Sequence, residues 1–302
     1  MWFKNLVVYR LPADWSLSAP ELEAQLATRT LQACGAFDML SRGWVPPSAT
    51  GRLVHTVNLQ HLIALGVNQK LLPASIVRQV TQDRAAALAK EQGFKVGRRQ
   101  MRDLKMRVTE ELRAKALTKR RVTRAWIDPA NRWLVVDAAG AARAEELIET
   151  LRDTLGSLAV QMIETERSPQ ASMASWLRQG PPTRLSVDQD LELQAANQSK
   201  ATIRYSRHPL EGKEIQAHLA GGMYATRLGL TWNDRIAFVL TEKLQIKRVE
   251  FLELSDDKTD EDEMDANEQF DIDFAVMAGE LAKLLDDVVA ALGSEVRERA
   301  AA

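Results

Sequence analysis

A single cysteine, Cys34, occurs in 302 residues. That excludes an internal disulfide framework and a multi-cysteine zinc site, and it fits a reducing compartment. Long apolar runs are also missing, since no stretch approaches the ~18 consecutive apolar residues of a membrane span. The opening MWFKNLVVYRLPADW is interrupted by Lys4 and Arg10 and lacks a small-residue cleavage site. No signal peptide is therefore expected, and the predicted location is cytoplasmic, with no membrane partner. Motifs that handle nucleotides are absent as well. Gly212-Lys213 is followed by Glu214 and has no upstream glycine of a phosphate loop, and no G-x-G-x-x-G, G-x-S-x-G or H-E-x-x-H occurs. These gaps argue against an ATP-driven motor and against a bound cofactor.

Histidine is scarce: His55, His61, His208 and His218. His55 and His61 flank a predicted hairpin turn and offer the one geometric route to a metal pair. No carboxylate or cysteine lies nearby in sequence to complete such a site, so ordinary strand histidines and no metal are expected. Cys34 has no identifiable base or oxyanion hole and reads as a small buried hydrophobe.

What is present is ordinary in bulk and unusual in order. Hydrophobic residues at 45% and charged residues at 27% suit a soluble globular protein. The length favours two subdomains or one elongated, compound fold. The formal net charge of −1 hides a separation. From Arg78 to Arg124 fifteen Lys/Arg stand against five Asp/Glu, while from Glu253 to Asp273 eleven acids stand against Lys258 alone. The two blocks cancel in the sum yet lie far apart in the chain.

Residues 2–10 read as a strand rich in Val7, Val8 and Tyr9. Ser18 and Glu21 form a capping-box pattern before a helix that carries Leu22, Leu26 and Leu31 inward. GWVPPSATG (43–51) reads as turn material, and LVHTVN with HLIALGV as a hairpin around Leu59-Gln60. Ile76, Val80 and Leu88 mark one helix, Gly93 and Gly97 bracket a break, and Met101, Leu104, Val108 and Leu112 mark a second helix. RAWID and RWLVVD are predicted strands joined across Pro129-Ala130-Asn131. A helix over 141–155 ends at Gly156. Residues 165–200 read as irregular connection with a short helix near Trp176. MYATRLGLTW, RIAFVLT and LQIKRVEFL follow as a three-stranded meander turning at Asn233-Asp234. An acidic loop over 255–268 precedes a closing helix that ends at Gly293. Without regular βαβ alternation the fold class is α+β, an elongated subunit with antiparallel sheet regions and a projecting helical arm. The subregions expected are an N-terminal α/β part (1–72), a basic helical arm (73–122), an α/β part with an irregular linker (123–200), and a C-terminal meander and helix (201–302).

The stretch GRRQMRDLKMRVTEELRAKALTKRRVTR (97–124) carries the chemistry. On a helix turning about 100° per residue, Arg98, Arg102, Lys105 and Arg113 fall within about 80° of one another. The apolar set lies on the adjoining arc, and Asp103 and Glu110 point elsewhere. Cations sorted in this way, rather than interleaved with acids as in salt-bridged surface helices, match the charge spacing of a phosphate backbone. Lys119, Arg120, Arg121 and Arg124 extend the run, and Arg99 and Lys115 complete the candidate DNA-binding set. No base-reading signature is visible, so binding should be sequence-independent and salt-sensitive. Two other readings remain open. One is a divalent-metal nuclease using Asp260, Asp262 and Asp265. The other is a protein-binding module whose basic helices dock on another subunit's acidic block.

Several segments, in order, resemble the RdgC family of bacterial recombination-associated proteins: MWFKNLVVYRL, GWVPP, LLPASIVRQ, LRDTLGSL, KEIQAHLAGGMYATRLGLTW, KRVEF and DFAVMAGELAKLL. They span nearly the whole chain. The resemblance implies a ring-shaped homodimer around a positively charged hole and non-specific, mainly double-stranded DNA binding without enzymatic activity. It also implies association with the nucleoid and restraint of RecA by limiting its access to DNA. Where the family usually reads Leu-Leu-Pro-Arg-Ala-Phe, this chain has Leu112-Arg113-Ala114-Lys115-Ala116-Leu117, and Arg120 stands where another aromatic is common. HPLEGKEI (208–215) replaces a more usual Asp-Leu-Thr-Ser-Glu-Glu-Ile, so a different cap is expected for the helix that starts there.

Overall fold

The computed structural model describes residues 2–252 and 265–296. Among them the chain forms seven helices and twelve strands, with antiparallel ladders and no regular strand–helix alternation, an α+β arrangement. It divides into two compact units: Met1–Glu23, Pro46–Ile63 and Thr123–Ala302 in one, Ala24–Val45 and Ala64–Val122 in the other.

The first, larger unit is organised around β1 (Asn5–Arg10). On one side β1 pairs along its length with β6 (Trp133–Asp137). On the other side Asn5 and Leu6 pair with Lys247 and Ile246 of β12 (Ile246–Phe251), and Tyr9 and Arg10 pair with β7 (Gln161–Met162). The sheet continues from β12 through β11 (Ile236–Thr241), β10 (Met223–Trp232) and β8 (Leu185–Ala195) to β9 (Thr202–Tyr205). Alternate residues Leu6 and Val8 enter a core shared with Leu228, Leu230, Phe238 and the apolar face of α7 (Ala266–Ala291), where Phe274, Met277, Leu281 and Leu285 are buried. Tyr9 faces the other way, toward Glu145 of α4 (Ala141–Leu155), and its phenol is pushed up to about 12, first by burial and then by that carboxylate. β1 is therefore buried on both faces.

Turn chemistry follows the sequence closely. The meander turns at Asn233 and Asp234, both with positive φ, and α4 ends at Gly156 in the left-handed region. α5 (Pro169–Gln179) is the short helix expected near Trp176, and α6 (Lys213–Ala220) starts at Gly212 with no side-chain cap.

Two expectations are corrected here. Residues 185–195 form an eleven-residue strand rather than irregular connection. In it Leu185 and Val187, then Leu191 and Leu193, keep the apolar alternation, but residues 188–190 stand opposite Gly229 alone and interrupt the period. Residues 266–268 are already helical rather than loop, because the apolar stripe of α7 extends back to Phe270 and its first turn carries Glu268. The rest of the acidic stretch, 253–264, lies outside the described residues. His55 and His61, by contrast, are strand residues as expected, and they do not meet. In the hairpin of β3 (Val54–Val57) with the start of β4 (Gln60–Lys70), His61 stands opposite Thr56, and His55 opposite Leu62. Neighbouring positions point to opposite faces. His61 Nδ1 lies 3.0 Å from Thr56 Oγ1, whereas His55 Nε2 lies 3.0 Å from Asp271 of α7.

The second unit contains β2 (Leu40–Val45), the remainder of β4, α2 (Ala74–Gln92), α3 (Arg98–Lys115) and the start of β5 (Thr118–Asp128). Gly43, Trp44 and Val45 are strand here rather than turn, paired with Gly66, Leu65 and Ala64. The segment Arg29–Leu31 runs beside them as a parallel bridge of Thr30 with Trp44: Trp44 N–H donates to Arg29 O, and Leu31 N–H to Trp44 O. A Cβ at Gly43 would sit 2.5 Å from the Leu31 nitrogen, so only glycine admits this close approach. The unit's core is small, built on Trp44, Leu65 and Val67. Lys70, nearly inaccessible, turns its ammonium onto the carbonyls of Gly35 and Ala36 at 2.6 and 3.0 Å.

Candidate nucleic-acid interface

α2 and α3 are neighbouring helices joined by a short break. α2 stops at Gly93, whose φ of 77° is left-handed and whose N–H donates to Ala89 O at 3.1 Å. Four residues later α3 starts at Gly97, where Gln100 Oε1 accepts the Gly97 N–H at 3.2 Å. Both ends of this break are legible in the sequence.

The buried stripe of α2 differs by one position from the one expected. Val77, Thr81 and Ala85 are inside, while Ile76 is 44% exposed and Val80 and Leu88 are half-buried. A spacing of four through small residues lets α2 pack closely, and the larger apolar residues lie on its flank. On α3 only Val108 is fully buried, and Met101, Leu104 and Leu112 are half-buried. Arg84 of α2 meets Glu111 of α3 at 2.7 Å, and Lys115 approaches the same carboxylate at 3.5 Å. Arg84 chiefly, then Lys115, holds the Glu111 carboxyl below the usual range.

The remaining cations of α3 behave differently. Arg98, Arg99, Arg102 and Lys105 are exposed, and among the described residues none has an ion-pair partner. Arg113 is half-buried, with Nη1 donating to Phe37 O at 3.3 Å and its Nε buried without an acceptor. Lys105 and Arg113 join Arg78 of α2 along a groove of about 620 Å³ floored by Met39, Leu72, Val77 and Met101. No carboxylate lines this groove. Arg78 is a groove residue absent from the candidate set, and its signal is its place three residues before Thr81, on the side that faces α3.

The cationic run after Leu117 is dispersed. β5 begins at Thr118, six residues before the strand expected from Arg124. Thr118, Val122 and Thr123 favour an extended chain, and the charges among them mask the strand signal. Alternation then sends Lys119 and Arg121 to one face and Arg120 to the other. Arg120 is held by Asn68 Oδ1 at 3.1 Å. Lys119 and Arg120 are exposed, Arg121 is half-buried, and Arg124, also half-buried, belongs to the larger unit. Lys115 is engaged with Glu111.

The alternative sites gain nothing further from the fold. Among the described residues no three His, Cys, Asp or Glu side chains group to hold a metal ion. Asp265 is exposed just ahead of α7, and Asp260 and Asp262 lie outside the described residues. Cys34 is half-buried, its Sγ 3.3 Å from Asn68 O. No described helix is long and apolar enough to cross a membrane.

A family model described as "Putative exonuclease, RdgC" matches residues 1–295. The chain belongs to the RdgC family. It is 47% identical over 302 residues to the recombination-associated protein RdgC of Dechloromonas aromatica (strain RCB), covering 99% of each chain. Against the protein of the same name from Janthinobacterium sp. (strain Marseille), identity is 45% over 300 residues, 99% of this chain and 100% of the relative. The Cupriavidus pinatubonensis relative is 47% identical over 296 residues, 98% of this chain and 99% of its own. The match is thus end to end rather than confined to one segment.

Proposed function

We propose that this chain is a sequence-independent DNA-binding protein that grips mainly duplex DNA and, by occupying it, limits the access of the RecA recombinase. The observation that carries the reading is the α3 face, where Arg98, Arg99, Arg102 and Lys105 stand exposed without acidic partners among the described residues, beside the Nε of Arg113, which has no acceptor among them. Cations held in this way gain most from phosphate, because their binding releases counterions without first breaking an ion pair. The names of the relatives tie them to recombination, which supports DNA as the partner.

The α2–α3 pair acts as a projecting arm, and two copies close as a ring-shaped homodimer associated with the nucleoid. Exposed Phe94, at the break between α2 and α3, supports a self-associating tip. Binding rests on charge rather than on an intercalating wedge, since Leu117 and Arg120 occupy the positions where the family pattern carries aromatics.

The test is a gel-shift series over salt with random duplex and single strands, beside a solution mass. Log K should fall steeply with log salt. Replacing Arg98, Arg102, Lys105 and Arg113 by Ala should flatten the slope by about 3 to 4 units, close to 0.9 for each phosphate no longer neutralised. An unchanged slope removes the footprint from this face. If DNA affinity is negligible while dimerisation weakens with salt, the basic helices dock on protein instead.

The word exonuclease in the family description favours one second reading, a metal-dependent nuclease. Incubating DNA with the protein and Mg²⁺ or Mn²⁺ separates the two readings: strand loss that tracks protein concentration establishes the nuclease, and intact DNA at high protein excess leaves binding alone.

A further inference from the structure

The larger unit holds a second concentration of positive charge, on the sheet formed by β8 to β12 and remote in sequence from α3. A pocket of about 180 Å³ opens there between strands, and its charged lining is Arg204, Arg227, Lys247, Arg248, Asp190 and Glu192. These groups are not equivalent. Arg248 Nη1 is paired with Asp190 at 2.8 Å, and Arg204 Nε with Glu192 at 2.9 Å. Those two pairs neutralise themselves. Arg227 reaches only 3.6 Å from Glu192, a carboxylate already engaged by Arg204 and by Thr226 Oγ1 at 2.8 Å. Lys247 donates to the Ala139 carbonyl at 3.1 Å and has no carboxylate partner among the described residues. Two positive charges are therefore left over in one small concavity.

We propose that this pocket binds one phosphate group, with Arg227 and Lys247 as its ligands and a phosphomonoester dianion as its preferred form. The volume is below the roughly 300 Å³ at which pockets for drug-sized ligands begin, so the occupant is a small group. A phosphomonoester carries about −1.5 to −2 charge at pH 7, matching the two surplus cations better than the single charge of a backbone diester. Arg227 offers a planar fork and Lys247 a point charge with donors to spare, the two complementary ways of holding phosphate oxygens. Tyr205 adds a neutral donor to the lining, whereas the Ser206 hydroxyl is already given to Asp190 at 2.9 Å. The cations of the pocket also repel one another. Burial, then Arg227 and then Lys243, weakens the hold of Lys247 on its proton, a cost that a bound anion relieves. The same chemistry is supplied by free phosphate and by the phosphorylated end of a DNA strand.

The site does not depend on the α3 reading and can be tested apart from it. Calorimetric titration with inorganic phosphate, against chloride at equal ionic strength, should show binding to the wild-type protein. Arg227→Ala with Lys247→Gln should weaken it at least tenfold, and Lys247→Arg should retain it. The Ala replacements at Arg98, Arg102, Lys105 and Arg113 should leave phosphate binding unchanged even where they abolish DNA binding. In the wild type, phosphate should protect the Lys247 amine from acylation, read by mass spectrometry, a result that needs no variant to fold. A short duplex with 5′-phosphates that binds more tightly than its 5′-hydroxyl twin, with the gain lost in the double variant, assigns the source to DNA ends. Equal affinities with phosphate binding intact assign it to a free phosphomonoester. Phosphate heats no larger than chloride's, unprotected Lys247, or loss of binding in the α3 variants would each overturn the proposal.

Discussion

At the scale of single residues, two glycines in the smaller unit separate backbone crowding from side-chain crowding. A Cβ at Gly43 meets the backbone of Thr30 and Leu31 at 2.5–2.6 Å, whereas at Gly66 it meets side-chain carbons of Leu31 and Val45 at 2.7–2.8 Å. Backbone held to Trp44 through the Arg29 carbonyl on one side and the Leu31 N–H on the other cannot yield as a leucine rotamer can. Gly43→Ala should cost about 1–3 kcal/mol or more, and Gly66→Ala clearly less, both read from urea midpoints. Equal losses would mean that the bridging segment gives way. Glu111 offers a functional prediction. Its carboxylate is the acid that engages Arg84 and Lys115, so Glu111→Gln should barely move the melting temperature of so exposed a pair. It should tighten DNA binding and steepen its salt dependence. Unchanged affinity would place the helix pair outside the footprint. Which cations stand free was only partly legible. The 100° wheel sorted Arg98, Arg102 and Lys105 correctly onto one exposed face, but it could not show that Glu111 captures Lys115 or that Arg113 turns back toward Phe37, because both outcomes depend on neighbours brought in by tertiary packing.

At the scale of elements, the hairpin of β3 and β4 couples stability to pH. His55 sits edge-on to Phe270 and Phe274 with centroids 4.9 and 5.8 Å away, and its proton affinity is lowered by burial, only partly offset by Asp271. His61 is lowered by burial as well. Groups with folded values below the unfolded ~6.5 take up protons more readily in the unfolded chain, so stability is full above that value and falls as pH drops from about 7 toward about 5. Urea midpoints across that window should decline, and replacing both histidines by Asn should flatten the decline. A slope that survives the double replacement would trace to other groups. Helices and turns with local signals were legible here: α4 with its terminal glycine, the Gly93–Gly97 break, the Asn233–Asp234 turn. β8 was hidden because three residues bulge opposite Gly229, which shifts the apolar phase in mid-strand. The start of β5 was hidden because Lys119, Arg120 and Arg121 cover its extended-chain propensity.

At the scale of the whole molecule, what sequence periodicity could not supply is the closure between distant segments. Leu6 pairs with Ile246, and Phe3 N–H donates to the Met277 sulfur at 3.2 Å. No local pattern announces such pairings, although each participating strand is recognisable alone. A chain ending before β10 should therefore fail to fold its larger unit even though β1, β6 and α4 are intact, because the Asn5–Leu6 part of one edge of β1 and the α7 face of its core are left open. Circular dichroism and proteolysis of such a fragment would check this, and a protease-resistant sheet would contradict it. The same long-range closure has a consequence on the ribosome. At roughly 5–20 residues per second, the 240 positions from Leu6 to Ile246 take roughly ten to fifty seconds to synthesise. For that interval Leu6 and Val8, which both end up buried in the core, are in a nascent chain whose covering helix has not yet been translated. The yield of correctly folded protein should therefore depend on translation speed and on early chaperone contact far more than its ordinary composition suggests.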